Sequence, residues 1–183
     1  MAEKTANHFT NVITASKNVI RKSFLPGSII VRVNEYSRKT SYFIQGCAKL
    51  LYISKGNGEL TINGVPHRVK AGSCFLLSFY HFFKLNPDMG DTLELYYCMI
   101  PFTSLQLFFS SPNSIFGDFA QLENTPHCNF NPEMQKVIMR LLNDMRKKSG
   151  LDDIYFQNLF LYEALIYLNR EKDDGKQKNT AEN

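Results

Sequence analysis

A series of turn signals at short intervals constrains this chain more than any other feature of its sequence. Between residues 50 and 102, turn residues separate short segments in which apolar and polar residues alternate. The turn residues are Gly56-Asn57-Gly58, Asn63-Gly64 and Gly72. Asn-Gly is a strong hairpin dipeptide, because a type I′ turn needs a positive φ at both central residues. Several hairpins in series predict a β-barrel or jelly roll with antiparallel strands.

The apolar segments between the turns predict about seven or eight short strands. The first follows Pro26-Gly27, where Ile29, Val31 and Val33 share one face. The segment 74–77 is apolar throughout, which is typical of a strand buried on both faces. In the last strand, residues 93, 95, 97 and 99 point inward on one face.

After Pro101 the apolar period changes from 2 to about 3.6, which predicts C-terminal helices. Asn131-Pro132-Glu133 is a helix start, with an N-cap, a proline in the first turn and an early acid. The helix after Asp152 is apolar or aromatic almost all round, so it must be covered on more than one side. We expect a second copy of the chain to cover it, which predicts a homodimer. The predicted dimerisation residues are Leu141, Met145, Phe160, Leu161, Leu165 and Leu168.

These patterns divide the chain into four segments. Residues 1–25 form an N-terminal arm, 26–102 the β-barrel, 103–170 a helical dimerisation region, and 171–183 a polar linker or tail. The predicted fold is therefore mainly β, an antiparallel barrel or jelly roll followed by an antiparallel pair of helices.

Composition narrows the function classes. The chain has 183 residues, 44% of them hydrophobic, and a formal net charge of +4 without a basic stripe, so direct binding of nucleic acid is weakly supported. Its four cysteines form no C-x-x-C pair and are interpreted as reduced thiols. No secretory signal or membrane-spanning segment is recognisable, so we expect a cytoplasmic protein.

The order of these features resembles the N-terminal cupin domain of AraC-type transcriptional regulators. The resemblance covers residues 26–170 and includes two helices and a polar linker. Its motif residues are Tyr52-x3-Gly56-x-Gly58, Gly64, Gly72, His81 and Tyr97-x4-Phe102. It implies a barrel that binds a small-molecule effector and a helical pair that dimerises. DNA would be bound only by a C-terminal domain that is not present in this chain.

The resemblance and the inward positions together predict a set of ligand-binding residues. They are Arg38, Tyr52, His81, Phe83, Tyr97 and Met99. Each has a structural alternative: His81 as a satisfied histidine at a strand start, the aromatic residues and Met99 as core, and Arg38, like Arg32, as a solvated arginine. His67 is interpreted as a rim or core histidine. The aromatic content favours a sugar or another ligand with an apolar face.

A cupin metal site would need histidines and a carboxylate that converge on one ion. Only His81 matches such a ligand, and residues 41–50 contain no His, Asp or Glu. We therefore predict no metal, no cofactor, no catalytic residues and no enzymatic activity. The alternative is a stand-alone metal-dependent cupin enzyme, a sugar isomerase or a dioxygenase, which would contain bound metal.

Overall fold

The computed structural model describes residues 29–43, 47–101, 104, 127–147 and 153–181, with the side chains of the last helix described as far as residue 168. Within these ranges, the elements whose bounds are defined are eight strands followed by two helices. The strands are β1 (Ile30–Tyr36), β2 (Ala48–Lys55), β3 (Asn57–Ile62), β4 (Val65–Lys70), β5 (Ser73–Leu77), β6 (Phe83–Pro87), β7 (Leu93–Ile100) and β8 (His127–Asn129). The helices are α1 (Pro132–Lys147) and α2 (Asp153–Ala181).

The strands form two antiparallel sheets. Sheet 1 has the order β1-β7-β2-β5-β8, and sheet 2 has the order β4-β3-β6. After β1 the chain passes from sheet 1 to sheet 2. There Phe43 forms an isolated β-bridge with Phe83, the first residue of β6. The predicted antiparallel jelly roll with C-terminal helices is confirmed, but the two sheets face each other without closing into a barrel.

The turn predicted at Asn63-Gly64 joins β3 to β4. Both residues have positive φ, 49° and 88°, as a type I′ hairpin requires. The predicted start of α1 is also confirmed, because the side-chain oxygen of Asn131 accepts a hydrogen bond of 2.9 Å from the backbone N–H of Met134.

Sheet 1 separates two apolar cores, because successive side chains of a strand point to opposite faces. In β2, Leu51 and Ile53 face sheet 2 and pack in the inner core between the sheets. Leu50 and Tyr52 face the helices and pack in the outer core. Burial on both faces explains why β2 is a nearly continuous apolar run.

The six predicted dimerisation residues contact the chain's own sheet. Leu141, Met145, Leu161, Leu165 and Leu168 are at most 3% exposed in the outer core, and Phe160 packs against that core while only partly buried. The structure therefore places five of these six side chains in the core of the chain itself. Among the described side chains of α2, the large apolar and aromatic ones that are exposed are Tyr155, Phe156, Leu159 and Tyr162. An all-round apolar helix does not reveal from sequence which of its faces its own sheet covers.

A buried glutamine joins α2 to both neighbouring layers. The Gln157 side-chain oxygen accepts a hydrogen bond from the backbone N–H of Ile29, and its amide nitrogen donates to the carbonyl of Met145. The start of β1 and the last turn of α1 are therefore fixed to the same residue of α2.

Several predicted segments differ from, or lie outside, the described structure. Strand β8 falls within residues 103–170 and pairs with the edge of sheet 1, so the boundary at residue 102 does not enclose every strand. Helix α2 continues to Ala181, through most of the segment 171–183. The predicted arm, residues 1–25, lies outside the described residues. In the described part of the chain, all four cysteines are free, and no helix is long and apolar enough to cross a membrane.

Candidate functional site

Four aromatic residues form a cluster at one side of the inner core, where β1 and β7 of sheet 1 approach β6 of sheet 2. This aromatic cluster consists of Tyr36, Phe43, Phe83 and Tyr97. The ring centres of Phe43 and Phe83 are 5.0 Å apart, and Tyr97 lies 6.4 Å from both Tyr36 and Phe83. The rings provide an apolar surface between the two sheets that continues into the inner core.

Two cations flank this cluster. Arg32 is opposite Tyr97 in the pairing of β1 with β7, and Lys49 is opposite Met99 in the pairing of β2 with β7. The Lys49 side chain is only partly exposed and shares its face of β2 with Leu51 and Ile53. Its Nζ lies 6.0 Å from the centre of the Tyr97 ring.

The electrostatic environment of Lys49 disfavours its charge. Burial lowers the pKa of Lys49 below 10.5, Cys47 partly offsets this shift, and the positive charge of Arg32 lowers the pKa further. None of the ion pairs among the described residues includes Lys49 or Arg32. The aromatic surface therefore ends at a pair of cations that have no carboxylate partner in the described part of the chain.

A chain of hydrogen bonds fixes the tyrosine hydroxyls of the cluster. The Tyr97 hydroxyl donates to the Tyr36 hydroxyl at 3.0 Å, and the Asn34 amide donates to the same oxygen at 3.2 Å. Burial, followed by the contact with Tyr36, raises the pKa of Tyr97 well above its usual range. Because Tyr36 accepts both bonds, its hydroxyl proton can donate to a further acceptor.

Comparison with known proteins identifies the family. The model of the family described as "AraC-like ligand binding domain" matches residues 46–165, more than half of the chain. The chain belongs to the AraC-like ligand-binding domain family. This finding confirms the resemblance seen in the sequence. A search of curated proteins gives no significant match.

Solved structures of ToxT from Vibrio cholerae share the fold of this AraC-like domain. Apo ToxT, in a variant form, has a TM-score of 0.58 at 14% identity, over 80% of this chain and 57% of ToxT. ToxT bound to an unsaturated fatty acid gives 0.55 at 13% identity, over 80% and 55%. A third ToxT structure, bound to (E)-4-(8-methylnaphthalen-1-yl)but-3-enoic acid, gives 0.51 at 17% identity, over 78% and 58%. The chain thus spans a little more than half of the length of ToxT.

The AraC-like domain brings three of the six predicted ligand-binding residues to this site. Phe83 and Tyr97 belong to the aromatic cluster, and Met99 lies beside Lys49. Arg38 is exposed in the bend after β1. Tyr52 faces the helices from the opposite side of sheet 1, because it alternates with Leu51 and Ile53.

His81 lies in the turn between β5 and β6 and is 1% exposed. Its Nδ1 accepts a hydrogen bond of 3.0 Å from the backbone N–H of Ser78, and the backbone N–H of His81 donates to the carbonyl of Ser78. This geometry favours the structural alternative, a histidine that shapes the turn.

His67 lies at the opposite edge of the sandwich, where its ring contacts Phe75 and His127. Burial, and secondarily the proximity of His127, lower its pKa. Within the described ranges, no group of three or more His, Cys, Asp or Glu residues is arranged to hold a metal ion.

The sequence analysis did not select Lys49, although the signal was present. Lys49 alternates in β2 with Tyr52 and Leu50 and therefore shares a face with Leu51 and Ile53. A lysine in register with core residues indicates a charge at the edge of an apolar interior.

Proposed function

We propose that this chain is the effector-binding and dimerisation domain of an AraC-type transcriptional regulator, and that its effector is an apolar carboxylic acid bound between the sheets. The observation that carries the proposal is Lys49, a partly buried cation beside Tyr97 with no ion-pair partner among the described residues. An effector carboxylate would bind Lys49 and Arg32, while its apolar body contacts the aromatic cluster. The domain acts in this proposal as a sensor and not as an enzyme.

The ligands named in the ToxT structures support this effector class. Both the unsaturated fatty acid and the naphthyl-butenoic acid join a carboxylate to an apolar body. That combination is complementary to a cation at the end of an aromatic surface. A neutral sugar, the effector class favoured by the sequence, would leave the charge of Lys49 uncompensated, so sugars serve as the competing ligands in the test below.

The position of the site supports a coupling between effector binding and the position of the helices. Arg32 and Tyr36 lie on the inner face of β1, while Val31 and Val33 of the same strand pack in the outer core. Helix α1 contacts β1 directly. An effector that favours one position of β1 would therefore favour one position of α1, which is a shift between existing conformations.

The exposed face of α2 supports dimerisation through a second copy of the chain. Tyr155, Leu159 and Tyr162 recur at helical spacing, and Phe156 lies beside them. A face of this kind is self-complementary across a two-fold axis. In this proposal DNA is bound by a unit outside the 183 residues, and the dimer sets the spacing of two such units.

The effector class can be tested with protein carrying ¹³C-methyl methionine. Met99 lies beside Lys49 and reports on the inner site, whereas Met89 is fully exposed and serves as a reference. Titration with decanoate should shift the Met99 methyl signal and raise the melting temperature, since a ligand that binds the native state stabilises it. The analogue 1-decanol, which lacks the carboxylate, and a panel of free monosaccharides should bind more weakly.

Substitution of the lysine tests the role of its charge. Lys49→Gln should weaken decanoate binding about tenfold or more, because it removes a charge-assisted hydrogen bond. Binding of 1-decanol should change little. Lys70→Gln, at an exposed lysine of β4, is the matched control and should leave decanoate binding unchanged. Equal affinity of Lys49→Gln and the parent protein for decanoate would contradict the proposal.

The competing function, a metal-dependent cupin enzyme, makes a different prediction. Metal analysis of the purified protein would then find stoichiometric iron, manganese, nickel or zinc. In that case the sensor proposal would have to be given up.

A further inference from the structure

An open groove lies on the outer face of sheet 1, where α1 begins. It has a volume of about 580 Å³ and separates the ends of β2 and β7 from the first turns of the helix. We call it the outer groove. Its lining residues are Tyr52, Ser54, Lys55, Glu94, Pro132, Gln135, Lys136 and Met139. Sheet 1 separates it from the aromatic cluster, so it does not depend on the proposed function.

Tyr52 is the one buried residue among those that line the outer groove, and its polar side-chain group is a hydroxyl. The side chain is 1% exposed, and its ring packs against Tyr96 and Phe130. The neighbouring Tyr96 hydroxyl donates to the side-chain oxygen of Asn143, whereas the Tyr52 hydroxyl has no hydrogen-bond partner among the described residues. Tyr52 lines the outer groove, so we place its hydroxyl against a ligand there.

Because the Tyr52 hydroxyl has no hydrogen-bond partner among the described residues, it can donate its proton to a ligand atom in the groove. Burial raises the pKa of Tyr52 to about 12, so the hydroxyl keeps its proton at neutral pH and can donate it.

The remaining polar groups favour an anion. Lys55 and Lys136 contribute two positive charges to the lining, and Glu94 contributes one negative charge. The Glu94 carboxylate already accepts a hydrogen bond of 2.5 Å from the hydroxyl of Ser54. Lys136 forms an ion pair with Glu133, but both side chains are largely exposed, so the pair is weak.

The start of α1 also favours an anion in the outer groove. This helix of 16 residues begins at Pro132, on the wall of the groove, and the N-terminus of a helix carries a partial positive charge. The dipole and the two ammonium groups therefore attract the same kind of ligand as the Tyr52 hydroxyl.

We propose that the outer groove binds the oxyanion of a small molecule, a carboxylate or a phosphoryl group, which accepts the proton of the Tyr52 hydroxyl and is attracted by Lys55 and Lys136. The body of the ligand would lie against Pro132 and Met139. Because the ligand contacts both α1 and sheet 1, its binding would fix the helix on the sheet. The groove would thus provide a second input to the helices, independent of the inner site.

The test uses the full chain with ¹³C-methyl methionine, because Met139 lines the outer groove and Met99 lies at the inner site. Inorganic phosphate and acetate are titrated separately at constant ionic strength, with chloride as the reference anion. We expect a saturable shift of the Met139 methyl signal. Tighter binding of phosphate would indicate a phosphoryl ligand, and tighter binding of acetate would indicate a carboxylate ligand. The Met99 signal reports separately on the inner site, so the two proposals can fail independently.

Two matched hydroxyl deletions complete the test. Tyr52→Phe should weaken anion binding about tenfold, because it removes a hydrogen bond to a charged group. Tyr96→Phe removes a hydroxyl from the same face of the sheet and should leave binding at Met139 unchanged. If Tyr52→Phe does not fold, Lys136→Gln is used in its place and should weaken binding several-fold. No saturable shift at Met139, or binding that is unchanged in these groove variants, overturns the proposal.

Discussion

The amino group of Lys49 stands over the ring of Tyr97, with 6.0 Å between Nζ and the ring centre. At this distance the attraction between cation and ring is at its outer limit. Burial and the nearby Arg32 both disfavour the charge. Lys49 is therefore placed where it reduces stability, and a bound anion would compensate it.

Replacing Lys49 by methionine should stabilise the protein. Lys49→Met keeps the length of the side chain but removes the partly buried charge, so we expect the free energy of unfolding at pH 7 to rise by about 1 kcal/mol. Urea denaturation measures the change. Decanoate binding should be lost at the same time, and a variant that is less stable than the parent would contradict this account of Lys49.

The same lysine predicts a pH dependence. Burial lowers the pKa of Lys49 in the folded state below its unfolded value of 10.5, so the unfolded state binds more protons between the two values. Stability contributed by this group therefore rises with pH through that interval. The difference in stability between Lys49→Met and the parent protein should be largest at pH 7 and should narrow as the pH approaches 10.5. Urea denaturation at several pH values tests the sign.

Removing the Tyr97 hydroxyl should destabilise the aromatic cluster. Tyr97→Phe breaks the hydrogen bond to Tyr36 at a largely buried position, and we expect a loss of about 1 kcal/mol. The matched control is Tyr80→Phe, because the Tyr80 side chain is 63% exposed. Thermal denaturation of both variants should show a lower melting temperature for Tyr97→Phe alone.

The two faces of α2 should respond differently to substitution. Leu159→Glu introduces a charge on the exposed face, so we expect a folded monomer by size-exclusion chromatography with light scattering. Leu161→Ala creates a cavity in the outer core and should cost about 2–5 kcal/mol of stability without changing the oligomeric state at low temperature. A dimer that persists in Leu159→Glu would exclude this face as the interface.

Two turn glycines provide a matched pair. Gly56 and Gly64 have nearly the same positive φ, 87° and 88°. A Cβ at Gly56 would lie 2.1 Å from the carbonyl oxygen of Thr92, whereas nothing lies within 4 Å of one at Gly64. We expect Gly64→Ala to cost about 1 kcal/mol for its backbone alone and Gly56→Ala about 3 kcal/mol or more. Similar costs in chemical denaturation would show that backbone conformation alone requires glycine at residue 56.

Much of the local structure could be predicted because it depends on neighbouring residues. The Asn63-Gly64 hairpin, the N-cap at Asn131 and the inward face of β7 each follow from rules that act over a few positions. Strand β8 could not be predicted in this way. Its three residues pair with β5, more than fifty positions earlier, and carry no periodic signal of their own.

The candidate site was predicted only in part, for a similar reason. Phe83, Tyr97 and Met99 were found because alternation assigns each to a face of its own strand. Tyr52 also has a defined face, but alternation does not tell which face of β2 the helices cover. Lys49 emerges as a site residue only when β1, β2 and β7 are placed side by side.

The sequence by itself determined the hairpins and the helices, because these depend on periodicity and turn chemistry within the chain. The tertiary structure decided which apolar face meets which partner. It placed Leu161 and Leu165 against their own sheet, Tyr52 beneath α1, and Lys49 beside Tyr97. Burial and electrostatic environment arise from the packing of segments that are distant in sequence, so no local pattern contains them.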